Sequence, residues 1–345
     1  MTIAHVKALL SGLGLGVALV GALGEVASIP VLASDSHQAN FVNTAPVAGP
    51  NRPENVPDGY LITPFGYFHP SCVQSLEKGQ RLLADGRVQL ADGATAENAA
   101  VCSYPHYTPD GIAVKTGTAS ATSAERGTPE AKTPPEINGW IEAVSITTGS
   151  PTQSYGALIA TWTVPPQPAA EDGQVLYFFP GFEDINDPQT SILQPVLRWY
   201  YGWSIASWNC CLTGIVTNSP GVGVSSGDEI YGSITSTCPP GTLSCATWNL
   251  LSLDLSTGES TTLGDTPSQG QVFNWAFGGV MEPYYVISCD DYPSDRQLRF
   301  ERVRVFDQDL HPVFDPKWGG SFNSVATPQC HYGATGTDRT VKLDY

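Results

Sequence analysis

Two polar residues interrupt segments of this chain that are otherwise apolar. Gln194 lies in 191–197, Ser-Ile-Leu-Gln-Pro-Val-Leu, and Glu282 lies in 277–285, Phe-Gly-Gly-Val-Met-Glu-Pro-Tyr-Tyr. A carboxyl group surrounded by aromatic side chains has a raised pKa and can exchange protons in a mildly acidic medium. A neutral amide beside it can donate a hydrogen bond to a developing oxyanion. On one face of a sheet the two residues would form a water-activating pair, whereas singly each is typical of the solvent face of a strand.

One segment matches the residue types of a serine-hydrolase motif but lacks the secondary structure that the motif requires. Residues 223–227, Gly-Val-Ser-Ser-Gly, fit G-x-S-x-G, which requires a strand before it and a helix after it. Here a strand pattern follows at once, so we expect an ordinary turn. His311 and His331 are the histidines after residue 136, and neither has the spacing of a metal site. We therefore expect neither a metal nor another cofactor.

An acidic cluster, formed by Glu183, Asp184 and Asp187, has three interpretations. It could bind calcium, border a cleft or form a solvated loop, and the solvated loop is the simplest prediction. By its order in the chain, Glu183 is also the candidate for a second carboxyl group facing Glu282. A glycosidase or polysaccharide lyase would need such a pair.

The composition limits the classes of function. Among 345 residues, 16 are Lys or Arg and 33 are Asp or Glu, so the net charge is −17, which argues against binding nucleic acid or anionic lipid. Only 14% of residues are charged and Gly and Pro are abundant, as in exported all-β proteins. Arg198 is the sole base between Lys132 and Arg296. This shortage of bases suits an acidic environment, although solubility alone explains it equally well.

Residues 1–33 have the pattern of a secretory signal peptide. Lys7 precedes an apolar run over 8–24, and Val31-Leu32-Ala33 fits a small-x-small cleavage site. A membrane anchor of similar length is the alternative, and it fits the cleavable pattern less well. The sequence thus predicts a secreted protein, extracellular or periplasmic, without membrane attachment once the signal is removed.

Eight cysteines in an exported chain favour disulfides over a metal site. The sequence does not determine the pairing, but two pairs are plausible because they are local: Cys72 with Cys102 and Cys238 with Cys245. Adjacent Cys210 and Cys211 are expected to point to opposite faces of one strand and to serve different partners.

The rest of the chain divides into three parts. Residues 34–115 form a small N-terminal extension, which we interpret as a propeptide. Residues 116–135 have almost no large apolar side chain, so they are expected to be an exposed, easily cut linker. Residues 136–345 form the functional domain.

Short strands between turns are the main pattern of residues 136–345. The predicted strands are 140–147, 154–164, 175–179, 190–199, 203–209, 228–235, 246–255, 271–276, 280–288 and 298–306. The segment 256–258, Ser-Thr-Gly, is a hairpin signal between two of them. Without a convincing long helix, the pattern predicts an all-β sandwich or jelly roll.

The order of these segments resembles the glutamic endopeptidases called eqolisins, from about residue 138 to residue 306. The matching segments are Asn138-Gly139-Trp140, 160–165 (Ala-Thr-Trp-Thr-Val-Pro), 179–183 (Phe-Pro-Gly-Phe-Glu), 191–194 (Ser-Ile-Leu-Gln), the pair Trp203 and Trp208, 225–230 (Ser-Ser-Gly-Asp-Glu-Ile), 254–258 (Asp-Leu-Ser-Thr-Gly) and 277–282 (Phe-Gly-Gly-Val-Met-Glu). The chain departs from the family at Phe179, Glu183 and Gly278, and in its cysteines. The resemblance implies a concanavalin-like β-sandwich of two antiparallel sheets, synthesis as a precursor, and catalysis by Gln194 and Glu282.

The resemblance and the residues together predict a secreted, acid-active endopeptidase that hydrolyses polypeptides through a Glu/Gln dyad. Glu183, Trp203, Trp208 and Tyr284 are the expected substrate contacts, and the N-terminal extension is the expected inhibitor. Other interpretations stay open at this point. A lectin on the same sandwich would bind glycans without catalysis, and an inactive homologue of the peptidases would keep the fold without hydrolysis. A carbohydrate enzyme would use Glu183 as the partner of Glu282.

Overall fold

Alternating apolar and polar residues produce strands throughout the part of the chain that the structure describes. The computed structural model describes residues 45–49, 51–83, 87–96, 102–114, 140–187, 191–211 and 214–345. The expected signal peptide (1–33) and linker (116–135) lie outside these ranges. Within them, no helix has the length and apolar character needed to cross a membrane.

The strands fall into a short set before the linker and a longer set after it. The first set is β1 (Leu61–Thr63), β2 (Gly66–Phe68), β3 (Val73–Ser75), β4 (Arg81–Leu82), β5 (Val88–Gln89), β6 (His106–Tyr107) and β7 (Ala113–Val114). The second set is β8 (Glu142–Thr147), β9 (Tyr155–Thr163), β10 (Val175–Glu183), β11 (Ile192–Trp199), β12 (Trp203–Cys210), β13 (Val216–Asn218), β14 (Val222–Gly223), β15 (Glu229–Ser236), β16 (Thr247–Asp254), β17 (Ser260–Pro267), β18 (Trp275–Tyr284), β19 (Gln297–Asp307), β20 (Gly319–Phe322), β21 (Gly333–Gly336) and β22 (Val341–Asp344). Two short 3₁₀ helices, Pro70–Cys72 and Cys289–Asp291, complete the described elements.

Two sheets form a β-sandwich, as the sequence predicts. The order of strands in the first sheet is β20-β8-β18-β10-β11-β12-β13-β3, with β14 beside β12. The order in the second sheet is β17-β16-β15-β9-β19-β22-β21. Neighbouring strands are antiparallel except β13 and β3, which are parallel. The strand β3 belongs to the N-terminal extension, so the extension is built into the edge of the first sheet.

The two faces of the first sheet follow from the alternation of side chains along each strand. Phe178 is the register partner of both Leu197 and Met281, and all three are buried in the core between the sheets. The next residue of β10, Tyr177, therefore points away from the second sheet. We call the side of the first sheet that faces away from the second sheet its outer face.

The N-terminal extension covers this outer face with a second apolar cluster. Tyr60, Ile62 and Phe68 of the extension pack in one cluster with Val196 and Val280 of the first sheet. Strands β1 and β2 form a tight hairpin in which Thr63 pairs with Gly66. The outer face is consequently dry under the extension, although the strands beneath it carry polar side chains.

The predicted strands are largely confirmed, and the exceptions have physical reasons. The predicted strands 271–276 and 280–288 are a single strand, β18, whose register shifts between Phe277 and Gly279. A Cβ atom on Gly279 would lie 2.5 Å from the ring of Phe300, so glycine is required at this close approach. Strand β17 was missed because Ser-Thr-Thr-Leu-Gly-Asp-Thr-Pro has almost no large apolar residue.

The disulfides confirm both local predictions and correct one expectation. Cys72 is bonded to Cys102, and Cys238 to Cys245. A third bond joins Cys289 to Cys330. The expectation that Cys210 and Cys211 serve different partners was wrong, because the two are bonded to each other. Strand β12 ends at Cys210, so the alternation of side chains along a strand does not extend to Cys211.

Candidate active site

Gln194 and Glu282 project from the same outer face of the first sheet. Gln194 is on β11 and Glu282 on β18, with β10 between them, and neither side chain is exposed (0% each). Glu282 pairs with Tyr177, which pairs with Arg198, four residues after Gln194. The two backbone positions are thus about 10 Å apart across the sheet and about 13 Å apart along it. The two side chains therefore open onto the same face, separated by this offset.

Two aromatic side chains hold the carboxyl group of Glu282. The Tyr284 hydroxyl is hydrogen-bonded to Oε1, and the indole Nε1 of Trp140 donates to Oε2 over 3.2 Å. Burial nevertheless raises the pKa of Glu282 to about 8, and the charge of Glu183 contributes to the rise. Glu282 is consequently protonated at mildly acidic pH while it is covered.

The hairpin turn of the N-terminal extension occupies the space above both residues. The Gln194 Nε2 donates to the Pro64 carbonyl over 3.1 Å. The Gly66 N–H donates to the Tyr284 hydroxyl over 2.8 Å, and that hydroxyl lies 3.0 Å from the Thr63 carbonyl. Main-chain groups of 63–66 therefore meet the amide of Gln194 and, through Tyr284, the carboxyl of Glu282.

A protonated Glu282 suits this arrangement better than an ionised one. The Tyr284 hydroxyl has a single proton, yet two acceptors lie beside it, the Thr63 carbonyl and Glu282 Oε1. If Glu282 keeps its own proton, it can donate to Tyr284, and Tyr284 can donate to Thr63. The raised pKa and the hydrogen-bond geometry under the turn thus agree.

The stability of the covered protein should therefore depend on Glu282 and on pH. Its pKa is about 8 in the folded protein against an ordinary value of 4.5, so its contribution is full below about pH 4.5 and is lost as pH rises through about 8. We expect Glu282→Gln, which does not titrate, to gain stability relative to the parent by about 1.4 kcal/mol per pH unit within this window. Chemical denaturation of both proteins at several pH values measures the difference.

Comparing the two proteins cancels the other buried titratable groups. Burial lowers the pKa of His106 to about 4, which acts in the opposite direction at acidic pH, and raises that of Glu142 to about 9. Both groups are present in the parent and in the variant. Parallel stability curves for the two proteins would contradict the assignment of a protonated Glu282 under the turn.

The acidic cluster is not the solvated loop that the sequence predicts. Glu183 is 1% exposed and Asp184 is 7% exposed. The Asp184 carboxylate accepts a hydrogen bond from the Val272 N–H over 2.9 Å, and one from the Asn186 N–H, so it ties its loop to the segment before β18. Glu183 ends β10 and lies near enough to Glu282 to raise its pKa.

The three expected aromatic contacts have different positions. Trp203 packs against Phe178 and Trp199 in the core between the sheets, so the expectation that it contacts substrate is corrected. Trp208 lies on the outer face as the register partner of Gln194. Tyr284 is also on this face, where it contacts Glu282 itself.

Sequence reasoning missed three residues of this site: Trp140, Tyr177 and Arg198. Trp140 stood in the resemblance without a role, and it binds the carboxyl of Glu282. Tyr177 resembles a core residue within the apolar run of β10, yet its hydroxyl donates to the Ile62 carbonyl over 3.0 Å. Arg198 could have been found from the sequence, because it is the sole Lys or Arg between Lys132 and Arg296.

The other motifs behave as local structure. Residues 223–227 form a turn into β15, and the Ser225 N–H donates to Asp228, so the absence of a helix after this motif confirms the prediction. Asp307, Asp309 and His311 lie close together, but they are at least partly exposed on one turn. The Asp307 carboxylate accepts the main-chain N–H groups of the other two.

Of the comparisons with known proteins, the one with solved structures finds proteins similar to this chain. No family model and no curated protein matches the chain. Scytalido-glutamic peptidase bound to a peptide-based transition-state analogue is similar at 19% identity and a TM-score of 0.42, over 60% of this chain and 98% of that one. SCP-B, of the Eqolisin family, bound to the tripeptide Ala-Ile-His, is similar at 20% identity and 0.41, over 60% and 98%. Aspergilloglutamic peptidase from Aspergillus niger is similar at 16% and 0.33, over 50% and 98%.

Proposed function

We propose that this protein is a secreted, acid-active endopeptidase that uses Gln194 and Glu282 to hydrolyse peptide bonds. One observation carries the proposal. The amide of Gln194 donates to a main-chain carbonyl, that of Pro64, while the Tyr284–Glu282 pair receives the N–H of Gly66. The site therefore already binds main-chain groups of a polypeptide segment, the turn at 63–66. Four disulfides in the described ranges are compatible with export.

The chemistry begins once the turn has left and water has entered. Contact with water lowers the pKa of Glu282, so the carboxylate becomes available as a general base. It takes a proton from water, and the water oxygen attacks the carbonyl carbon of the substrate. The Gln194 Nε2 donates to the resulting oxyanion. When the C–N bond breaks, protonated Glu282 returns the proton to the leaving amine.

Trp140 and Tyr284 position the general base. Their hydrogen bonds fix both oxygens of the carboxyl group, so the proton is exchanged in one orientation. Both donors also favour the ionised form of Glu282. Once burial under the turn is relieved, these bonds favour the carboxylate that the reaction needs.

The N-terminal extension acts as the inhibitor in this proposal. Its turn blocks the Gln194 amide, and Tyr177 holds the preceding residue, Ile62. Strand β3 pairs with β13, so the extension is anchored at the edge of the same sheet. Polypeptide substrates would enter only after this segment is displaced or cut.

The turn can be tested at Gly66. This residue has φ +107°, and a Cβ atom there would lie 2.2 Å from the Tyr107 carbonyl oxygen, so Gly66→Ala should loosen the turn. Backbone strain of about 1–3 kcal/mol would raise the activity of the uncut chain about tenfold or more. The initial rate of hydrolysis of a quenched fluorescent peptide at about pH 4 measures the effect, with mass spectrometry confirming an uncut linker.

Gly59→Ala is the matched control. Gly59 also has a positive φ, +79°, in the same extension, but nothing lies within 4 Å of its added Cβ. Alanine at 59 is strained by its φ as well, but it clashes with no atom and lies outside the turn at 63–66, so we expect its rate to stay close to that of the parent. Equal rates for all three proteins would contradict the inhibitory role. No hydrolysis even after the linker is cut and the extension is removed, which gives the form called the linker-cut protein below, would favour a lectin.

A further inference from the structure

Arg198 lies on the outer face beside the candidate catalytic pair. It shares a face of β11 with Gln194, and it is aligned across three strands with Tyr177 and Glu282. No other Lys or Arg occurs between Lys132 and Arg296. A single cation has therefore been placed beside the site in a long stretch of sequence that carries many acidic residues.

The guanidinium of Arg198 has no anionic partner among the described residues. Its Nε is buried and makes no hydrogen bond there, and none of the ion pairs in these ranges involves Arg198. Burial lowers its pKa, and the titratable groups facing it are the phenols of Tyr177 and Tyr200. The side chain as a whole is half-buried, and a cation that is partly removed from water without a counter-charge favours binding of an anion supplied from outside.

A small recess beside Arg198, with space for about one water molecule, marks where the oxygens of such an anion would approach. The recess is lined by Val196, Arg198, Ser204, Ala206, Trp208, Asn218 and Gly221. Ser204 is the register partner of Arg198 and brings a hydroxyl group, while Trp208 brings an aromatic wall. A cation, a hydroxyl donor and an apolar wall match a carboxylate carried on a short methylene stem.

The path of the covering turn shows which part of a peptide would reach this recess. Tyr177 donates a hydrogen bond to the main-chain carbonyl of Ile62, and Gln194 donates one to that of Pro64. A substrate that follows the same path would place a residue about two positions before its reacting carbonyl over Tyr177, next to Arg198. That residue is on the amino side of the bond to be cleaved.

We propose that Arg198 is a specificity-determining residue that pairs with an Asp or Glu side chain on the amino side of the cleaved bond. The inference rests on the proposed peptidase function for its site, but it concerns binding and does not require hydrolysis. The acidic surroundings disfavour anionic peptides elsewhere on the domain, so Arg198 would also fix their register.

Matched peptides that differ only by Glu or Gln at one position test the proposal. We expect the linker-cut protein at about pH 5, where a free Glu side chain is ionised, to prefer the Glu peptide by about 10- to 100-fold in kcat/KM. The preference should appear at one position before the cleaved bond and decrease as salt is added. Equal kcat/KM values for Glu and Gln at every position would overturn the proposal.

Substitutions identify the responsible residue. Arg198→Gln should remove the preference, and Arg198→Lys should retain part of it. Arg302→Gln changes the net charge equally but lies on β19 of the second sheet, in an exposed pair with Glu229, so it should leave the preference unchanged. An Arg198→Gln protein that folds, as judged by its thermal unfolding, and keeps the full preference would overturn the proposal.

Binding separates this proposal from the peptidase function. Calorimetry with the uncovered Glu282→Gln protein compares the affinity of the two peptides without turnover. We expect the Glu282→Gln protein to bind the Glu peptide more tightly than the Gln peptide, and the double variant Glu282→Gln/Arg198→Gln to bind both equally. This result supports the role of Arg198 even if the parent hydrolyses nothing. Hydrolysis by the parent together with equal binding of both peptides would leave the peptidase proposal intact and contradict that role.

Discussion

Glu282→Gln in the linker-cut protein is expected to lower kcat/KM for peptide hydrolysis by about 100- to 10,000-fold. Glutamine keeps the shape of the side chain but can neither take a proton from water nor return one to the amine. The variant should still fold, because removing a carboxyl group that is buried and protonated leaves no unpaired charge. Steady-state rates at about pH 4 measure the loss.

Glu142→Gln is the matched control for this experiment. Glu142 is another buried carboxyl group of the first sheet with a raised pKa, but it pairs with Met281 and faces the core between the sheets. It accepts a hydrogen bond from the Gly333 N–H, far from the turn over the outer face. Activity that survives in Glu282→Gln, or falls equally in both variants, would contradict the assignment of the general base.

Gln194→Ala is expected to lower kcat/KM by about 100- to 1,000-fold, the usual effect of losing one oxyanion donor. The loss should lie mainly in kcat, because the amide is proposed to stabilise the oxyanion more than the ground-state carbonyl. The same substitution should also weaken the turn over the site, since the Nε2 donor to Pro64 is removed. Steady-state kinetics of the linker-cut protein separate the two effects.

A buried glutamine away from the outer face provides the comparison. Gln174 is 1% exposed and donates to the carbonyls of Ala170 and Asp291, so Gln174→Ala should cost stability. We expect its kcat/KM to stay within about threefold of the parent, because the residue contacts no reacting atom. If Gln194→Ala lost no more activity than this control, the oxyanion role would be wrong.

Local patterns predicted the fold well because they are set by neighbouring residues. The patterns at 175–179 and 190–199 predicted two strands, and the alternation within them puts Phe178 and Leu197 inward and Tyr177 and Arg198 on the outer face. The hairpin signal at 256–258 is confirmed, because a turn there joins β16 to β17, although β17 itself was missed. Both local disulfides were also predictable, since their cysteines are close in the chain.

The contacts made over long distances were not predictable from such patterns. Pro64 reaches Gln194 over 130 positions, and no local signal marks that contact. Trp203 was expected to contact substrate, but the alternation of β12 turns it into the core. The loop with Asp184 was predicted to be solvated. It is instead buried by a hydrogen bond from Val272, 88 positions away, which no local pattern indicates.

The double variant Gln194→Ala/Glu282→Gln tests the central claim most directly. If the amide and the carboxyl act on one peptide bond and one water, their losses are not additive, because removing either already disables the step. We predict that kcat/KM of the linker-cut double variant falls no more than about threefold below that of Glu282→Gln alone. A double variant whose loss equals the product of the two single losses would show that the residues act independently, which would contradict a shared catalytic site.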